Sequence, residues 1–200
     1  MLKSALRQTI IDQQKILDFD EQYVPRDIPL ESLLQSEEII VLSGIRRCGK
    51  STILTQLSKI LDGKFLYINF DDIRFSDFNQ ENFQHIYEIL GELFGPDAHV
   101  ILLFDEIQNI HGWERWLNNL HTFKIKTIVT GSNASVLSSE LSTFLTGRHK
   151  TIRIHPFSFR EYLRYYSISC ENPEFVSSTQ KGEIIYYLKI IRIIKSEKIF

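Results

Sequence analysis

The stretch Gly44-Ile45-Arg46-Arg47-Cys48-Gly49-Lys50-Ser51-Thr52 constrains this chain more than any other, because it follows the apolar run Ile39-Ile40-Val41-Leu42 and leads into residues at helical spacing. This is G-x-x-x-x-G-K-[ST] in a strand-loop-helix setting. A loop wrapped around a triphosphate must bring successive backbone N–H groups to phosphate oxygens, so a Cβ at Gly44 or Gly49 would obstruct the turn. Ile45, Arg46, Arg47 and Cys48 form the body of that cradle, and Thr52 closes it. The anion then rests on a helix N-terminus, where unsatisfied N–H groups and the positive end of the dipole favour negative charge. Lys50 supplies a mobile cation for the β- and γ-phosphates, and the Ser51 hydroxyl is a hard oxygen ligand for Mg²⁺.

Val100-Ile101-Leu102-Leu103-Phe104 runs straight into Asp105-Glu106. Downstream of a phosphate loop, that pattern describes a buried strand delivering acids to the top of a sheet, the Walker B position. Asp105 is expected to hold Mg²⁺ through water, and Glu106 to orient and polarise an attacking water. A further strand, Thr127-Ile128-Val129-Thr130, ends in Gly131-Ser132-Asn133. Ser132 and Asn133 are sensor candidates for the γ-phosphate, or caps for a helix near Ala134 to Leu137, or both. Arg148 precedes a fifth strand around Thr151 to Ile154. It suits an arginine-finger role in its own site or a neighbour's, or a surface ion pair. Asp71-Asp72, after the strand Phe65 to Phe70, read either as turn and cap residues or as site carboxylates. Tyr23-Val24-Pro25-Arg26-Asp27 either reaches the adenine and ribose or is a plain connector.

The remaining patterns are mostly core. Leu2, Leu6, Ile10 and Leu17 suggest an N-terminal helix through about Asp18. Ile53, Leu54, Leu57, Ile60 and Leu61 form a stripe on the helix after the loop, which Gly63 ends; Phe83, Ile86, Ile89, Leu90 and Leu93 form another. Trp113, Trp116, Leu117 and Leu120 fall at i, i+3, i+4 and i+7, a core stripe rather than an aromatic recognition surface. Ser158-Phe159-Arg160-Glu161 is a capping box flanked by Phe157 and Tyr162. The last stretch, from Ile184, is mostly Ile and Tyr relieved by Lys189, Arg192, Lys195 and Lys198; Ile184, Tyr187, Leu188, Ile191 and Ile194 would form one apolar helical face, suited to docking on the core, a homo-oligomer or partner protein, or a missing continuation.

A net charge of −2 over 200 residues gives no bulk attraction to nucleic acid or anionic membrane. Lys3, Arg7, Asp12 and Lys15 interrupt the first apolar stretch, so it does not read as a signal peptide, and a cytoplasmic chain without a membrane span is expected. Two cysteines, Cys48 and Cys170, are too few for a disulfide framework. Cys48 is either a space-filling residue or a thiol in the loop's positive field. No N-K-x-D motif occurs, which argues against a GTPase.

Leu42 to Thr52, Leu103-Phe104-Asp105-Glu106-Ile107-Gln108, Thr130-Gly131-Ser132, Gly147-Arg148 and Pro156-Phe157-Ser158-Phe159-Arg160-Glu161 together resemble the AAA-type ATPases of the archaeal and bacterial ATP-binding family. Members of that family usually continue into a DUF4143-type or related C-terminal domain. The resemblance implies an α/β three-layer P-loop sandwich with a parallel five-stranded sheet of order 5-1-4-3-2, ATP with Mg²⁺ as ligands, and Arg148 in the family's Gly-Arg position. It implies an N-terminal helix and linker over residues 1–29, an ATPase core over 30–168, and over 169–200 the start of a helical region that reads as truncated. The expected activity is Mg²⁺-dependent ATP hydrolysis by Lys50, Glu106 and Arg148. The alternative is a nucleotide-dependent switch with little turnover. Nucleic acid or defence roles enter by family analogy alone.

Overall fold

The computed structural model describes residues 1–17, 23–61, 65–95, 98–132, 145–167 and 179–187. Five strands form one parallel sheet: β1 (Ile39–Ser43), β2 (Phe65–Asn69), β3 (Ile101–Asp105), β4 (Thr127–Gly131) and β5 (His149–Arg153). Their order is β2-β3-β4-β1-β5, the expected order read from the other edge. The helices are α1 (Lys3–Leu17), α2 (Leu30–Gln35), α3 (Lys50–Ile60), α4 (Phe83–Phe94), α5 (Trp113–Thr122), α6 (Phe159–Tyr165) and α7 (179–187). Contacts divide the chain into two compact units, Met1–Tyr23 with Ile28–Pro156, and Val24–Asp27 with Phe157–Phe200. Asn133, the helix near Ala134 to Leu137, Gly63, Cys170 and the tail beyond Tyr187 lie outside the described residues.

In the first unit the sheet separates two cores, because successive side chains of a strand point to opposite faces. Ile39, Val41, Leu102, Phe104 and Val129 join the cluster that contains Leu6 and Ile10 of α1 and the buried residues of α4 and α5. Ile40, Leu42, Leu103 and Ile128 join Ile53, Leu54 and Leu57 of α3. Trp116 stacks on Phe83 at a centroid distance of 4.2 Å and lies 5.0 Å from Phe104, so the tryptophan stripe is core. With Phe104 held on that face, the next residue, Asp105, points to the α3 side. Leu2 and Ile60 are exposed, contrary to expectation, because Leu2 precedes the first turn of α1 and Ile60 is the final residue of α3.

Helix α1 crosses the open edge of β2, with Leu6 and Ile10 in one core and Leu17 in the other. At the crossing, two glutamine amides replace a neighbouring strand. Gln13 accepts from Asn69 N at 2.9 Å and donates to Asn69 O at 3.0 Å; Gln14 accepts from Tyr67 N at 3.0 Å and donates to Phe65 O at 3.1 Å. An unpaired sheet edge is otherwise a template for aggregation. Replacing both glutamines with alanine is expected to remove roughly 1–3 kcal/mol per site, since partly buried backbone groups lose their partners. Hydrogen exchange at the Tyr67 and Asn69 amides checks this: it should accelerate, and unchanged protection would show that these bonds do not hold the edge.

The second unit is built on the capping box. Ser158 Oγ accepts from Glu161 N at 3.2 Å, and Glu161 Oε2 accepts from Ser158 N at 2.7 Å. Glu161 also takes the Arg26 guanidinium at 2.8 Å and the Asp27 N–H at 2.8 Å, while Arg26 lies over the Phe157 ring. Tyr187 packs on Tyr162 and donates to Phe157 O at 2.6 Å, so part of the last apolar face is buried within its own unit. Burial pushes the Glu161 carboxyl up, but the Ser158 and Asp27 N–H groups and Arg26 outweigh it and hold it below the usual range. A carboxyl depressed on folding contributes stability above its unfolded pKa of about 4.3, and that contribution is lost as pH falls through the lower folded value. Arg26→Ala is expected to cost roughly 1.5–3 kcal/mol in urea denaturation, because the buried Glu161 carboxylate loses its cation and keeps only the Ser158 and Asp27 N–H groups. Glu161→Gln should flatten the acid limb of stability against pH.

No helix among the described residues is long and apolar enough to cross a membrane.

Candidate functional site

The phosphate-loop segment leaves the carboxyl end of β1 at Ser43, beside the last residues of β5. A Cβ on Gly44 would collide with the Ile154 carbonyl oxygen and come within 2.8 Å of Cys48 Sγ. Gly49 has φ +93° and serves as N-cap of α3 with no side-chain cap bond, which leaves the first N–H groups of the helix to a ligand. Arg47 also lies in the left-handed region, at φ +65°. Ile45, Arg46 and Arg47 are exposed, whereas Cys48 is buried in the α3-side core and fills space. Thr52 is half-buried in the first turn of α3.

Lys50 is buried, and its ammonium donates to Gly44 O at 3.1 Å and Ile45 O at 3.2 Å, with Glu106 Oε1 at 3.6 Å. Asp105, at the end of β3, accepts hydrogen bonds from the hydroxyls of Thr130 and Tyr67, the second at 3.2 Å, and the Ser51 hydroxyl is near enough to help hold its carboxylate. Burial raises the Asp105 carboxyl and the neighbouring Glu106 charge adds to this, against the pull of the three hydroxyls. Burial and Asp105 in turn push the Tyr67 phenol far up. Glu106 turns the chain out of β3 with φ +50°, and its N–H donates to Thr130 Oγ1 at 2.9 Å. Its carboxylate accepts from Gln108 Nε2 at 2.6 Å, and the same amide reaches Ser132 Oγ at 3.3 Å. Lys50, Ser51, Asp105, Glu106 and Ser132 thus lie around one loop.

Three members of this constellation carry no site role in the sequence, although Thr130 and Gln108 stand in stretches that bear the family resemblance. Tyr67 pairs with Leu103 across β2 and β3, and residues two apart share a face, so Tyr67 and Asp105 lie on the same side. That register is invisible without the pairing partner. Thr130 reads as an ordinary β-branched strand residue. Gln108 falls two residues beyond the acidic pair, in the 3₁₀ turn Ile107–Asn109, where no periodicity marks it.

Three acidic or basic candidates lie elsewhere. Asp72 caps the 3₁₀ turn Ile73–Phe75 and pairs with Arg74 at 2.7 Å, and the Arg74 guanidinium holds its carboxyl well below the usual range. Asp71 accepts from Asn109 Nδ2 at 3.2 Å. Both therefore follow the turn-and-cap alternative. Arg148 precedes β5, its carbonyl accepting from Ile39 N at the amino end of β1, and its guanidinium donates to Asn118. It lines a cavity of 570 Å³ with Leu34, Ser36, His121 and Lys126. Along β1, four residue steps of about 3.3 Å separate Ile39 from Ser43, so Arg148 is more than about 13 Å from its own phosphate loop. The expectation of a finger in its own site is corrected by this parallel register; the neighbour's-site reading and the surface-contact reading, to which the Asn118 contact belongs, are the ones left.

A family model for the AAA domain matches residues 36–163. An uncharacterized protein of Haemophilus influenzae is 33% identical over 160 residues, covering 74% of this chain and 40% of that protein. An uncharacterized protein of Methanocaldococcus jannaschii is 29% identical over 193 residues, covering 94% of this chain and 42% of the relative. The chain therefore spans well under half the length of these relatives. Among solved structures, the S. cerevisiae Hsp104–ADP complex superposes with a TM-score of 0.58 at 15% identity, covering 78% of this chain and 25% of that one, which is a likeness of fold. With the AAA-domain match covering most of the chain and the sheet order and phosphate loop in place, the chain belongs to the AAA-type P-loop ATPase family.

Proposed function

We propose that this chain binds ATP with Mg²⁺ and hydrolyses it. The observation carrying this reading is that Lys50, seated on the Gly44 and Ile45 carbonyls of a glycine-bounded loop, lies 3.6 Å from Glu106, whose N–H shares the Thr130 hydroxyl with Asp105. Two oxygen ligands suit Mg²⁺, which keeps several waters and takes the rest of its shell from phosphate oxygens, and the Gly44 cradle has room for backbone approach only without a Cβ. Ser51 would hold the metal directly and Asp105 through water. Bound there, the metal would neutralise charge on the β- and γ-phosphoryl oxygens.

The remaining roles belong to the chain's own groups. Lys50 exchanges two neutral carbonyl partners for charged phosphate oxygens, a stronger class of hydrogen bond. Glu106 aligns the attacking water and accepts its proton, and Ser132 reads the γ-phosphate. Arg148 supplies positive charge to the site of a second copy. Oligomerisation and any association with DNA are proposals on family analogy, and salt-dependent DNA retention tests the second.

Phosphate release and nucleotide affinity, measured together on the purified chain, test the reading. Mg²⁺-dependent release that EDTA abolishes is expected. Tight binding without release would instead favour a nucleotide-dependent switch, a reading supported by the engagement of both Glu106 oxygens, one with Lys50 and one with Gln108.

A further inference from the structure

Gln108 occupies both hydrogens of its amide nitrogen in the site: Nε2 lies 2.6 Å from Glu106 Oε2 and 3.3 Å from Ser132 Oγ. Its carbonyl oxygen, Oε1, is buried without a hydrogen-bond partner among the described residues. The orientation of the amide follows from charge, since the reversed assignment would set a carbonyl oxygen against the Glu106 carboxylate. A buried acceptor left unpaired is costly, so it marks a place where a donor is still to come. Glu106 itself is held in a left-handed backbone conformation by Thr130, which fixes where its side chain starts but not where its carboxylate ends. The hydrogen bond that the described residues give that carboxylate comes from Gln108, at 2.6 Å.

We propose that Gln108 is a positioning residue that ties the water-polarising Glu106 to Ser132 at the end of β4, so that base and γ-phosphate contact move as one unit. The proposal rests on the reading of the site as an ATP hydrolase. Gln108 itself transfers no proton. One N–H anchors Glu106 Oε2 and leaves the second lone pair of that oxygen, and Glu106 Oε1 once Lys50 turns to phosphate, to accept from water. The other N–H follows Ser132. The unpaired Gln108 Oε1 is where a water hydrogen is received when the γ-phosphate brings Ser132 and the attacking water into register.

The experiment compares Gln108→Ala and the isosteric Gln108→Glu with the parent chain, for turnover and for nucleotide affinity, alone and in the Glu106→Gln background. Both variants are expected to lower kcat by roughly 10–100-fold, a fraction of what a positioned base contributes, with ATP affinity within about two-fold. In the Glu106→Gln background, Gln108→Ala should lower the residual rate no further. A structural role would lower it in both backgrounds or weaken affinity. Wild-type turnover by Gln108→Ala, beside a dead Glu106→Gln, overturns the Gln108 proposal alone. Normal turnover by Glu106→Gln overturns the assignment of the base instead. Should the chain hydrolyse nothing, the side-chain amide NMR resonance of Gln108 still decides whether the tie exists. It should sit away from the free-glutamine position and move on Glu106→Gln or Ser132→Ala; a resonance insensitive to both overturns the proposal.

Discussion

The Lys50→Ala chain is expected to lose ATP turnover by at least about 10²–10³-fold, the scale of removing one preorganised donor at a site of developing charge, and to bind nucleotide far more weakly. The Glu106→Gln chain should keep its nucleotide and lose roughly 10²–10⁴-fold in turnover, the contribution of a positioned general base. The two differ because the side chains act at different moments. Lys50 touches phosphate in the ground state as well as in the transition state, so its loss weakens binding. Glu106 acts on the water, and its amide replacement can still accept a hydrogen bond but not the proton. There is a secondary cost to Lys50→Ala, since Glu106, 3.6 Å away, loses the one cation the described residues bring to it. Nucleotide titration beside phosphate release separates the pair. If Glu106→Gln bound and hydrolysed like the parent, Glu106 would not be the base; if Lys50→Ala did so, the loop would not be the phosphate site.

What could be seen before folding was whatever local pattern carries. The strands were visible because β1 and β4 are buried along their whole length and so are uniformly apolar or small, and α5 because its stripe keeps a strict helical period. Lys50, Ser51 and the acidic pair were visible because their chemistry demands fixed residue types beside a strand end. Registers were not. Tyr67 reaches Asp105 only because β2 lies beside β3 with Asn69 opposite Asp105, and Arg148 lies far from the loop only because β5 runs parallel to β1 with His149 opposite Ile39. Both facts depend on pairing between segments distant in sequence, which no single stretch encodes. The same holds for Gln13 and Gln14. Two polar residues on an otherwise amphipathic helix read as solvent-facing until the bare edge of β2 is placed against them.

Gly44→Ala is expected to disable the site and loosen the fold together, whereas Gly91→Ala should do neither. At Gly44 the obstacle is backbone: the added methyl meets the Ile154 carbonyl oxygen, and Ile154 is itself tied by its N–H to Ser43 O at 2.6 Å. Neither partner can rotate away, as a flexible side chain would. Either the loop lifts or the end of β5 swings out, and overpacking of this kind costs about 1–3 kcal/mol. A loop displaced by about 1 Å no longer aims its amides at phosphate, and a misplacement of that size is worth on the order of 10²-fold in the chemical step. Gly91 lies within α4, and a Cβ built there meets nothing within 4 Å. Alanine at that position should therefore stabilise by about 0.5–1 kcal/mol, through lower conformational freedom in the unfolded chain. Urea denaturation and nucleotide titration of the two variants test the argument side by side. A Gly44→Ala chain with parental affinity and stability would mean that loop and strand end are not pressed together, and that the cradle does not depend on a missing side chain.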